Sequence, residues 1–261
     1  MKQGKRIHHH VKYSALSPEW YDFFTEYRVF PEIYFTADEL DKLGHDDCLR
    51  LEKELRQRNL SLSIHAPFLD LSPGAFDEKI REVTRHRFSQ ILDLAEVLKP
   101  NIIDCHPHYD RYRFGGQVDP WVENCTKTFD PIVKRAEKLK VVLAMENVFE
   151  DEPTPLARLI DKVGSPSFQA CFDNGHFHMF HKVSLKKWWE AMGGKTALLH
   201  LHDNHGEKDE HLPIGEGNFP FPAYFNLLKE FEHPMTYTLE CHNLADARKS
   251  LRTLRRYLES N

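Results

Sequence analysis

A single (β/α)8 barrel is the fold that this sequence predicts, and three observations carry the prediction. Eight β-rich runs recur along 261 residues, amphipathic stretches lie between them, and no linker interrupts the alternation. A chain of roughly 250 residues suits one closed parallel barrel, so residues 1–261 read as one domain. A doubly wound open sheet is the alternative, but it usually carries a glycine-rich turn after its first strand, and none is present.

The first expected strand covers residues 6–11, where His8, His9 and His10 alternate across the backbone. Packing is their ordinary role, with one or two facing the barrel interior. Ser17-Pro18 then opens a helix, because proline suits a first turn whose N–H has no partner anyway. The second strand covers 31–35 and leads into an acidic loop, Phe35-Thr36-Ala37-Asp38-Glu39-Leu40. The third covers 60–66, and residues 77–98 form a helix with Ile80, Val83, Phe88, Ile91, Leu94 and Ala95 on one face. Strand four covers 101–106, and a helix over 119–138 starts at Asp119-Pro120. Strands five and six cover 141–147 and 168–173, with a helix over 155–163 between them. Strands seven and eight cover 197–202 and 235–240, followed by helices over 220–231 and 244–258.

A hydrophobic content of 41% with 12% aromatics supplies a sizeable core, to which Trp121, Trp188 and Trp189 are assigned ahead of sugar stacking. The net charge of −5 gives no general attraction for nucleic acid or an anionic membrane, although bound metal ions can supply a local positive potential. Five scattered cysteines lack a CxxC pair, and Cys105, Cys171 and Cys241 fall in strand-like runs as small buried thiols. That usage argues against a disulfide framework and for a cytoplasmic location. No window approaches the ~20 apolar residues of a membrane span, and the short basic opening, residues 1–6, carries no address.

In such a barrel the chemistry sits where strands end. Strand three ends in His65, strand four in Asp104-Cys105-His106-Pro107-His108, and strand five in Glu146-Asn147. Strand six ends in Asp173-Asn174-Gly175-His176, strand seven in His200-Leu201-His202-Asp203, and strand eight in Glu240-Cys241-His242. Any one of these has an ordinary explanation as a loop hydrogen bond or a helix cap. Six together gather so many carboxylates and imidazoles that a compensating cation is expected. The donor types suit Zn²⁺ or Mn²⁺ rather than Ca²⁺.

The strand ends, with Asp173-x-x-His176, His200-x-x-Asp203, Asp209-x-His211 and Gly215-Glu216-Gly217, resemble the xylose isomerase-like TIM-barrel superfamily over roughly residues 30–245. That group includes sugar-phosphate isomerases and epimerases and also endonuclease IV. The resemblance implies one to three divalent metals per chain. One would lie at His65, His106 and Glu146, a second at Glu146, Asp173, His200 and Glu240, and a third at His176, Asp209 and His211. The isomerase branch commonly needs only the second.

Two chemistries follow. In the isomerase or epimerase reading a metal chelates a carbonyl and its neighbouring hydroxyl, while Glu146 and Glu240 act as catalytic base and acid. Arg111, Arg113, Lys208 and His202 are then the candidates for holding a small carbohydrate, although a solvated surface charge is the ordinary reading of the three cations. In the alternative, clustered metals hydrolyse a phosphodiester such as abasic-site DNA. Phe68 and Leu69 are its candidate wedges, but the acidic loop and sparse mouth cations fit duplex binding poorly. A non-catalytic sugar-binding barrel ranks last.

Overall fold

The computed structural model describes residues 6–231 and 234–259; of the basic opening segment, residues 1–5 lie outside it. Eight strands close into one parallel barrel in chain order. They are β1 Ile7–Lys12, β2 Phe30–Tyr34, β3 Ser63–His65, β4 Ile102–Cys105, β5 Val142–Glu146, β6 Phe168–Asp173, β7 Thr196–Leu201 and β8 Thr236–Leu239. The ring shuts where β1 pairs with β8, His9 opposite Leu239. The expected third strand narrows at its start, yet Leu62 O still accepts from Asn101 N at 3.1 Å.

The period of two sets what fills the interior. Ile102, Ala144, Cys171 and Leu198 cluster as an apolar plug. Two residues further along the same strands stand Asp104, Glu146, Asp173 and His200, so the interior turns polar within one layer. The other face of each strand packs outward, with Ile33, Leu143, Phe168, Phe172 and Leu199 in the main core beneath the helices. Strand one obeys the same rule. His8 points inward to Ser63 Oγ at 2.9 Å, whereas His9 packs outward on Trp20 with ring centroids 4.9 Å apart.

The expected helices appear as α1 Pro18–Tyr27, α4 Glu78–Leu98, α5 Val118–Leu139, α6 Thr154–Val163, α9 Phe221–Leu228 and α10 Leu244–Glu259. Four more were not expected: α2 Ala37–Lys42, α3 His45–Gln57, α7 Asn174–Phe180 and α8 Leu185–Met192. The acidic segment after strand two is therefore largely helix rather than an open mouth loop. The Thr36 hydroxyl accepts from Glu39 N (3.2 Å) while Thr36 N donates to the Glu39 carboxylate (2.8 Å), a reciprocal cap. In α4 the apolar face begins later than expected. Ile80 and Val83 are exposed, and Arg81 and Thr84 are buried in their place, bonding Phe76 O and Ser72 N (both 3.0 Å). All five cysteines are buried and unpaired, with Cys241 just beyond β8. Trp121, Trp188 and Trp189 are core residues.

Candidate metal centre

Each strand delivers one or two polar side chains to the barrel mouth, and their contacts show which belong together. His106 Nε2 lies 3.4 Å from Glu146 Oε1, with the His65 ring 5.0 Å from that of His106. His200 Nδ1 is 2.8 Å from Glu146 and 3.2 Å from Glu240. His176 Nε2 is 3.5 Å from Asp209, which in turn lies 2.9 Å from His211 Nε2. All nine residues expected as metal ligands thus converge on this end of the barrel.

Many of the histidines have their reactive nitrogen selected by a neighbour. His65 Nδ1 faces Ala66 O at 2.9 Å and His211 Nδ1 faces Glu240 O at 3.0 Å. A carbonyl only accepts, so each Nδ1 carries the proton; in His65 this leaves Nε2 as a lone-pair donor, whereas His211 Nε2 also donates to the Asp209 carboxylate at 2.9 Å. In His200 carboxylates face both nitrogens at ion-pair distance, Glu32 3.0 Å from Nε2 and Glu146 and Glu240 on Nδ1.

Burial and charge then split the acids. Burial pushes Glu240 up to about 7, against the pull of His200 and His211. Burial also acts on Glu146, but His106 and His200 outweigh it and hold the carboxyl well below the ordinary range. For Asp173, His176 and His202 outweigh burial in the same direction. Asp104 goes the other way, raised well above its usual value by burial and by Glu146. His176 and His200 are raised despite burial, and His211 reaches about 9.

The donors present fit a divalent cation. Both oxygens of Asp104, both nitrogens of His106 and of His200, Glu146 Oε2 and His176 Nδ1 are buried without a hydrogen bond. Some stand at ion-pair distance, such as His176 Nδ1 to Glu146 Oε1 at 2.9 Å, but are not aligned as hydrogen bonds. Unmatched polar atoms at this density are costly in an interior. Mixed imidazole and carboxylate groups, including His65–Asp104–Glu146–His200 and Glu146–Asp173–His176, offer donor atoms within 4.8 Å of one another.

The substrate side is less polar than expected. A cavity of about 450 Å³ opens over the cluster, walled by Tyr34, Phe68, Leu69, Leu71, Val148 and Phe149. Of the four expected substrate residues, only Arg113 lines it. Arg111 is tied to Asp151 at 2.6 Å beside a separate cavity, and Lys208 is exposed. His202 is wholly buried, stacked on His211 at 4.1 Å with Nε2 3.2 Å from Asp173, so it orients a ligand rather than touching substrate. Of the expected wedges, Phe68 stacks on His106 at 4.5 Å, while Leu69 projects into solvent.

Two residues outside the expected ligand set complete the site. Glu32 is fully buried, accepts from Ser63 and Thr238 (both 3.0 Å), and is lowered to about 2 because His200 outweighs burial. Asp104 lies 3.5 Å from His65 and 3.7 Å from His106. A signal existed for both, since each is an acid in the inward phase of a strand otherwise rich in apolar residues.

The loop after β7 carries Asp209 and His211 on a frame fixed by Asp203. Asp203 accepts from Asn204 N (2.9 Å), Gly215 N (2.9 Å) and Phe219 N (3.1 Å), and its backbone forms a bridge with Leu212. Gly215 turns at φ 92°, a conformation open to glycine and strained for other residues.

Comparison with known proteins agrees with this architecture. The family model described as a xylose isomerase-like TIM barrel matches residues 30–257. A protein of Methanocaldococcus jannaschii is 30% identical over 214 residues, covering 79% of this chain and 73% of its own. Among solved structures, a D-tagatose 3-epimerase-like protein superposes with TM-score 0.82 at 25% identity over 97% of each chain. A Thermus thermophilus protein soaked with ZnCl2 superposes with TM-score 0.80 at 24% identity over 98% of each chain.

Proposed function

The chain belongs to the xylose isomerase-like TIM barrel family, and from that premise we propose that it is a divalent-metal-dependent isomerase or epimerase of a small sugar, sugar phosphate or related polyol. One observation carries the proposal. Glu146 and Glu240 converge on one nitrogen of His200, and their surroundings push their ionisations apart, Glu146 down and Glu240 up to about 7. Two carboxyls so divided suit the base and acid of a proton transfer near neutral pH. The D-tagatose 3-epimerase-like relative is consistent with a ketose-like substrate.

Glu146, Asp173, His200 and Glu240 would hold the metal, which supplies Lewis-acid polarisation of the substrate carbonyl. Glu146, ionised, takes the proton from the carbon beside that carbonyl, and the C–H electron pair moves toward the carbonyl oxygen. Glu240, which also meets His200 Nδ1, would return a proton to carbon through its oxygen not engaged with the metal. Glu32 pairs with His200 Nε2 at 3.0 Å, and His202 holds the Asp173 carboxylate. The apolar wall of Tyr34, Phe68 and Val148 limits water at the reacting carbon, and Arg113 can grip an anionic group on the substrate.

Proton exchange tests this directly. Protein loaded with Mn²⁺ or Zn²⁺ is incubated in ²H₂O with a panel of ketoses and their phosphates, and loss of the C–H resonance is followed by NMR. At least one substrate exchanges, and Glu146→Gln or Glu240→Gln slows it by about 10²–10⁴-fold. Absence of exchange across the panel, together with nicking of an abasic-site duplex, would move the assignment to phosphodiester hydrolysis. The cavity itself weighs against that outcome, because Arg113 is its one Lys or Arg among the described residues.

A further inference from the structure

We propose that Asp104 is a fourth protein ligand that closes the cation site of His65, His106 and Glu146, so that this ion is locked in place rather than left open to substrate. The proposal rests on the metal-binding reading given above. It adds a ligand that the resemblance does not supply, and with it a different role for the ion.

Distances carry the argument. Zinc-like ions bind imidazole nitrogen and carboxylate oxygen at about 2.0–2.2 Å, so tetrahedral ligand atoms stand roughly 3.3–3.6 Å apart. Asp104 Oδ2 lies 3.5 Å from His65 Nε2 and 3.7 Å from His106 Nε2, and His106 Nε2 lies 3.4 Å from Glu146 Oε1. Three edges of the tetrahedron are therefore present. In His65 the nitrogen is the right one, since its Nδ1 proton is committed to Ala66 O. His65, Asp104 and Glu146 also fall, with His200, within one set of donors spaced by no more than 4.8 Å. We assign His106 rather than His200 as the fourth ligand because His200 Nδ1 is already shared by Glu146 and Glu240.

Asp104 has no other evident task. Its side chain is completely buried, and neither carboxylate oxygen receives a hydrogen bond. Two imidazoles and two carboxylates fill a four-coordinate shell and leave no position for water or substrate, which is the pattern of structural rather than catalytic ions. Phe68 stacks on the His106 ring at 4.5 Å beside the site.

The test begins with wild-type crystals equilibrated with Zn²⁺ and anomalous scattering recorded at the zinc edge. The expected map holds one peak among Glu146, Asp173, His200 and Glu240, and a second within about 2.0–2.2 Å of Asp104. A mouth peak with none bonded to Asp104 overturns the inference and leaves the proposed function standing. No peak at either place overturns both. In solution, Asp104→Asn loses one tightly held zinc per chain, measured by elemental analysis after dialysis, or binds it at least about tenfold more weakly. Unchanged stoichiometry and affinity in a folded Asp104→Asn protein would equally reject the role. Should that variant fail to fold, the wild-type map still decides.

Discussion

Glu150 shows how a single side chain ties the site's support to pH. It is fully buried and accepts from Tyr109 N (3.1 Å) and Val148 N (2.7 Å), and burial still lifts it from 4.5 to about 7. A raised carboxyl favours the folded state while it is protonated. Its contribution is whole below about 4.5 and drains away as pH climbs through 7. Urea unfolding of the wild type between pH 5 and 8 should therefore show a decline on the order of 3 kcal/mol from this residue. Glu150→Gln should flatten that decline, and an identical slope in both proteins would contradict it. At this scale the sequence was informative about donors at strand ends, because acids and histidines there stand out against apolar runs. It was silent on roles. His200 and His202 share one face at a spacing of two, and only their neighbours reveal that one meets Glu146 and the other props Asp173. Arg111 stands as a candidate substrate cation because nothing local announces its tie to Asp151.

Among the elements, α7 is the most exacting. It starts at the very end of β6, with the Asp173 carboxylate accepting from His176 N at 2.6 Å, so one side chain both caps the helix and belongs to the proposed metal site. The chain fits this turn only because residue 175 lacks a side chain. A Cβ there would sit 2.0 Å from His202 Cε1. Gly175→Ala should cost about 1–3 kcal/mol through overpacking, read from the denaturation midpoint. It should also weaken zinc binding at the mouth, because displacing His202 frees Asp173. A variant as stable and as zinc-avid as the wild type would show that the helix gives way more easily than this geometry implies. Such an element was hard to foresee, since Asn174–Phe180 is only seven residues long and is crowded with aromatic rings and histidines. The long α4 and α5 were legible from their periodicity, but α2 was hidden inside an acidic stretch whose Thr36–Glu39 cap marks it only in hindsight.

For the molecule as a whole, barrel closure followed from the unbroken alternation of eight strands, and it is what turns scattered strand ends into one ring of donors. Under the proposed metal-bound state, that ring would make stability depend on metal. Removing bound ions leaves buried carboxylates facing one another, so chelation with EDTA should lower the melting temperature by about 5–10 °C, and excess Zn²⁺ should restore it. An unchanged melting temperature, with metal loss verified by elemental analysis, would mean the interior tolerates its own charge. The Asp203 frame bears on how such ions are captured. Its three backbone hydrogen bonds hold the segment bearing Asp209 and His211 in shape before any ion arrives. Chelation by a stiff arm loses little disorder on closing, so the outer pair would act as a quick first catch that hands ions inward, and loosening Asp203 would slow loading well before it weakened the final hold.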